Sequence, residues 1–114
     1  MQFDVGTTGN NYNAHSFYTV YRSIGGGSYS AIGQGTGGGS YNYGAGSYAA
    51  NNYYHAVGHC FLDSPNTTSE VTYIVKWRVQ RSATYIYLNR CGTDGDDVGN
   101  HRNSSSITLM EIAP

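Results

Sequence analysis

Charge is what this sequence has least of. Only 11% of its 114 residues are charged, lysine occurs once, and the formal net charge is −1. A nucleic-acid binder draws affinity from neutralised phosphates, and no basic cluster here exceeds Lys76, Arg78 and Arg81. Nucleic acid is therefore not an expected partner. No apolar run approaches the roughly 18 residues of a membrane-spanning helix, so no membrane span is expected. No basic start leads into an apolar h-region, and a secretion signal is not expected within these residues. With two cysteines, at most one disulfide is available. Cys60 and Cys91 leave pairing and free thiols both open; free thiols are the expected state, with Cys60 a small buried hydrophobe. Almost no helix is expected either: no segment carries a sustained 3.6-residue apolar period with caps.

Tyrosine and glycine dominate instead, with 12 and 16 copies. The length suits one domain over residues 1–114, which buries roughly two-thirds of its unfolded surface. β-branched and aromatic residues mark the strands. A short strand is expected over Gln2 to Val5 and a longer one over Ala14 to Ile24. Gly25, Gly26 and Gly27 then turn the chain into a returning arm, Ser28 to Ile32. Tyr53 to Leu62 and the run from Val71 flank a turn of Asp63, Ser64, Pro65 and Asn66, so they read as the arms of a hairpin. In the second arm Val71, Tyr73, Val75, Trp77 and Val79 share the core face, opposite Thr72, Ile74, Lys76, Arg78 and Gln80. Ser82 to Asn89 is a further strand, ahead of a polar loop from Arg90 to Ser104. Ser105 to Ala113 closes the chain with apolar residues on both faces, which implies a central strand covered on both sides. One cover would be the domain core and the other a neighbouring subunit. About seven short strands make an all-β antiparallel β-sandwich or jelly roll the expected fold.

Ten of the 16 glycines lie between Gly25 and Gly46. Residues 33–52 therefore read as one long Gly/Ser/Tyr/Asn loop. Tyrosine offers large contact area at low entropic cost, while Gly and Ser let a backbone adapt, which is the chemistry of a binding loop. Tyr41, Tyr43 and Tyr48 are the candidate ligand contacts; the alternative is that they pack on their own domain. Asp94, Asp96, Asp97 and Asn100 form a second polar candidate. A calcium loop of the EF-hand kind would need Glu at its twelfth position, where Ser105 stands. A solvated acidic loop is the simpler reading and no metal is expected, an irregular calcium loop being the alternative.

Gly33, Gly35 and Gly38 match G-x-G-x-x-G, yet no helix opens at the third glycine to receive a pyrophosphate. His55 and His59 have helical ligand spacing, but on a strand they stand about 13 Å apart, too far for one zinc. Asn66-Thr67-Thr68 and Asn103-Ser104-Ser105 are glycosylation sequons by pattern only. No nucleophile elbow or paired carboxylate is present, so neither catalysis nor a cofactor is expected.

Three segments carry a resemblance: Tyr18-Thr19-Val20-Tyr21-Arg22-Ser23 with its glycine turn, Leu62-Asp63-Ser64-Pro65-Asn66-Thr67-Thr68-Ser69-Glu70-Val71-Thr72-Tyr73, and Ser106-Ile107-Thr108-Leu109-Met110-Glu111-Ile112. They resemble the C-terminal domain of marine and cyanobacterial phage fibre and other virion surface proteins. That domain is similar to the trimeric jelly-roll heads of the tumour-necrosis-factor and C1q type. The resemblance implies a homotrimer on the virion surface, joined to a fibre shaft or the capsid and contacting host-surface polysaccharide. A capsid decoration subunit and a free-standing lectin-like module are the alternatives. Ile74, on the polar side of its own strand, together with Met110 and Ile112, is the expected trimer interface. Only Met1 to Asn13 precede the Phe-Tyr-Thr-Val-Tyr strand. The expected explanation is either one piece of a longer fibre or a subunit whose first strand comes from elsewhere.

Overall fold

The computed structural model describes residues 2–8, 14–36, 42–49, 54–79, 85–90, 95–96, 98, 100 and 102–112. Among these the chain is all-β and without helix. Its strands are β1 (Gln2–Thr8), β2 (Ala14–Ile24), β3 (Ser30–Ile32), β4 (Ala45–Ala49), β5 (Tyr54–Gly58), β6 (Val71–Val79) and β7 (Tyr85–Leu88). They form two antiparallel sheets. In the first, β1 lies between β5 and β7. In the second, β2 is the hub: β6 pairs along it from Ser16↔Val79 to Ile24↔Val71, and β3 and β4 share its other edge.

A small core joins the sheets. Val57 and Ile86 of the first pack with Tyr18, Ala45 and Val75 of the second. Tyr18 is fully buried, and its hydroxyl donates to Ser16 Oγ at 2.9 Å, so the ring enters the core with its polar end satisfied. Burial also raises the Tyr18 pKa above the ordinary phenol value. The β2–β3 turn uses Gly25 and Gly26 at φ +56° and +74°, a region open to glycine. The Gly25 N–H donates to the Glu70 carbonyl at 2.8 Å, tying this turn to the start of β6.

Several expectations need correction. The Asp63–Asn66 turn does not close a hairpin: β5 and β6 belong to different sheets, and residues 59–70 cross between them. The loop expected over 33–52 is shorter, because residues 45–49 are β4. Trp77, placed on the core face by alternation, is 48% exposed. Alternation assigns a face but not a cover, and β6 has only β2 as a described neighbour. Cys60 is exposed and free, not a buried hydrophobe; Cys91 lies outside the described residues.

The largest correction is at the C-terminus. Residues 107–112 belong to no strand, and Ile107, Leu109, Met110 and Ile112 are 54%, 66%, 83% and 75% exposed. Their apolar side chains find no cover among the described residues. Ile74, by contrast, is half-buried opposite Tyr21.

Candidate functional site

The site grows from an interruption in one strand. Ile32 faces Val20, and Ala45 faces Tyr18. The chain therefore leaves the sheet edge after Ile32 and re-enters it at Ala45, on either side of Thr19. The neck of this excursion is zipped by the Gly44 N–H to the Tyr18 carbonyl at 2.9 Å and the Gly35 N–H to the Tyr43 carbonyl at 3.1 Å. Gln34 Nε2 adds a bond to the Asn42 carbonyl at 2.7 Å.

The crossing segment clamps that neck. Phe61 packs on Gly33, where a Cβ would lie 2.8 Å from the ring, and His59 packs on Gly44, where a Cβ would lie 2.6 Å from Nδ1. The two rings touch, with centroids 5.0 Å apart. Only glycine at both positions lets the rings approach this closely. Burial lowers the His59 pKa below the ordinary imidazole value. The unfolded chain then binds protons more readily than the folded one, so stability falls as pH drops through about 6.5 and levels off below the folded value. His59→Gln should remove that part of the acid sensitivity, seen as a smaller difference between melting temperatures at pH 7.5 and pH 5.

Above the neck lies an aromatic platform on the outer face of β2. Phe17 sits opposite Gly46, and its ring lies over that glycine on the neighbouring strand. Tyr43, arriving from the loop, stacks on Phe17 with centroids 4.3 Å apart and planes 15° from parallel. His15 continues the row at 6.2 Å and 9°. An open depression of about 360 Å³ is bounded by Phe17 and Tyr43 with Gly35, Thr36, Asn42 and Gly46. Arg78, the cross-strand partner of Phe17, flanks it and reaches the Tyr43 hydroxyl at 3.5 Å. Ring faces for stacking and nearby amide and hydroxyl groups are the pairing that a sugar ring requires.

Of the ligand contacts expected from sequence, Tyr43 is in this site. Tyr48 belongs to β4, opposite His15, with its side chain outside the described part. Tyr41, Asp94 and Asp97 lie outside the described residues. Asp96 is exposed and Asn100 half-buried, and neither lines the depression. Phe17, His15 and Arg78 were not expected. Strand β2 carries aromatics on both faces, and alternation alone does not say which one a loop will cover.

On the other face of β2, the Asp63 carboxylate accepts from Arg22 Nη1 at 2.6 Å and from the Tyr73 hydroxyl at 2.9 Å. Arg22 and Tyr73 are direct cross-strand partners. The Leu-Asp-Ser-Pro turn thus pins the crossing segment onto the β2–β6 pair, a structural task. Burial, then the bond to Asp63, raises the Tyr73 pKa. No protein-family model, curated protein or solved structure matches this chain.

Proposed function

We propose that this chain is a glycan-binding head of a virion surface fibre, a jelly-roll sandwich that works as a homotrimer. The observation that carries the binding role is the Phe17–Tyr43 stack, beside Thr36 and Asn42. A pyranose ring lying on the Tyr43 face turned away from Phe17 would exclude water from its apolar side while its hydroxyls meet amide and hydroxyl groups. Such a site is shallow and individually weak. Strength would come from several copies on one particle, through effective concentration. The virion setting rests on the resemblance of the Tyr18–Ser23, Leu62–Tyr73 and Ser106–Ile112 segments to phage fibre heads.

Glycan binding by the purified chain tests the site. Tyr43→Ala should weaken binding to a host-surface polysaccharide about tenfold, the scale of one aromatic contact of about 1.4 kcal/mol. Unchanged binding in Tyr43→Ala and Phe17→Ala, both still folded by circular dichroism, would remove the platform from the assignment.

The trimer is supported by the apolar residues left uncovered at the C-terminus, Ile107, Leu109, Met110 and Ile112. Light scattering at micromolar concentration should give three times the chain mass, and Met110→Asp with Ile112→Asp should return a monomer. A wild-type monomer would count against it. The same uncovered segment favours, as a second reading, a capsid decoration subunit that lays these residues on a neighbouring capsid protein. A particle map placing the chain on the capsid lattice would select that reading.

A further inference from the structure

The platform does not stand alone on its face of the sheet. Strand β6 places Arg78 opposite Phe17 and Lys76 opposite Thr19, so both cations project on the platform side of β2. Two residues apart on a strand, they are about 7 Å from one another. Both are exposed. Lys76 Nζ lies 4.3 Å from the Tyr21 ring centroid and 5.9 Å from that of Tyr29, which holds the ammonium over the sheet by cation–π attraction. Among the described residues Arg78 makes one long contact, 3.5 Å to the Tyr43 hydroxyl. That leaves most of its five N–H donors for a ligand.

Neither cation makes an ion pair among the described residues. The ion pair that is present, Arg22 with Asp63, sits on the opposite face of β2. In a chain with six Lys and Arg residues in all, two stand beside a stacking platform with no described carboxylate to neutralise them. A neutral sugar needs no such arrangement.

We infer that the ligand is an acidic glycan: a sugar ring stacks on Phe17 and Tyr43 with its carboxylate or sulfate on Arg78, and Lys76 takes an anionic group further along the polymer. This rests on the glycan-binding reading and adds the charge of the ligand. A planar guanidinium matches an oxyanion through two parallel N–H donors, and such charge-assisted bonds are about twice as strong as neutral ones. Two cations are too few to track a phosphate backbone, which favours a glycan over a nucleic acid. Binding at an exposed site of this kind weakens as salt is raised.

The test measures binding of the full chain to two matched pairs by calorimetry: polygalacturonate against its carboxyl-reduced galactan, and dextran sulfate against dextran. The wild type should bind the acidic member of at least one pair about tenfold more tightly, and the responding pair tells carboxylate from sulfate. Arg78→Gln and Lys76→Gln should lose that preference, the acidic polymer falling to about the affinity of its neutral partner, and Tyr43→Ala should weaken both. Thermal melts check that each variant is folded. Equal affinity within both pairs overturns the inference and leaves the glycan reading standing; no binding to any of the four overturns both. A charge preference that survives in Arg78→Gln and Lys76→Gln, or tighter binding to a single-stranded oligonucleotide, also overturns the assignment.

Discussion

Gly33→Ala should lower the melting temperature by about 10 °C, the largest effect expected from adding one methyl group to this chain. Two costs act together. Gly33 has φ +61°, where an L side chain is strained by about 1 kcal/mol. The added Cβ would also meet three Phe61 ring carbons at 2.8 to 2.9 Å. Forcing a group into a packed site costs roughly 1–3 kcal/mol, so the sum is about 3 kcal/mol. Gly44→Ala should follow closely. There the Cβ meets His59, whose ring can swing away, but it also lies 3.2 Å from the Tyr18 carbonyl oxygen, which belongs to the sheet and cannot. Both substitutions loosen the neck that delivers Tyr43 to Phe17, so the proposed polysaccharide binding should weaken in the same variants. Denaturant melts decide the matter: losses below about 0.5 kcal/mol for both would mean that the two rings do not clamp the neck.

Asp63→Ala should cost about 2 kcal/mol. Its carboxylate satisfies an arginine and a tyrosine at once, and charge-assisted bonds contribute about 1.5–3 kcal/mol each when well buried. The Arg22 and Asp63 side chains are 21% and 18% exposed, so solvent screening reduces that figure. The substitution also releases residues 59–70 from the β2–β6 pair, which should reach the neck through His59 and Phe61. Asp63→Asn keeps the shape and one acceptor and should recover about half of the loss. A double-mutant cycle with Arg22→Ala isolates the pair; coupling below about 0.3 kcal/mol would show the ion pair to be incidental. Tyr73 provides a second readout. Its pKa is raised partly by Asp63, so in Asp63→Ala the phenol should titrate at lower pH.

Strand boundaries were legible wherever the signal was local. Ala14 to Ile24 and Val71 to Val79 carry local signals: β-branched and aromatic residues dominate both, glycines follow the first, and the Asp-Ser-Pro-Asn turn lies shortly before the second. The β4 strand was missed for the complementary reason: Ala-Gly-Ser-Tyr-Ala has loop composition, and only pairing with β2 makes it a strand. Tyr43 was found as a candidate from composition alone. Phe17 and Arg78 were not, because their meeting depends on a cross-strand register between residues far apart in the chain.

By itself, then, the sequence determined an all-β chain, the strand from Ala14 to Ile24, the glycine turn after it, and a tyrosine-bearing Gly/Ser loop that begins at Gly33. Side-chain alternation and backbone preference are properties of neighbouring residues, so they can be read in order. Tertiary structure alone decided what depends on partners. It sent residues 59–70 from one sheet to the other instead of closing a hairpin, and it gathered Phe17, Tyr43 and Arg78 on one face. It also left Ile107 to Ile112 uncovered. An apolar pattern says that a surface costs free energy in water; which surface covers it is settled only by what the fold brings alongside.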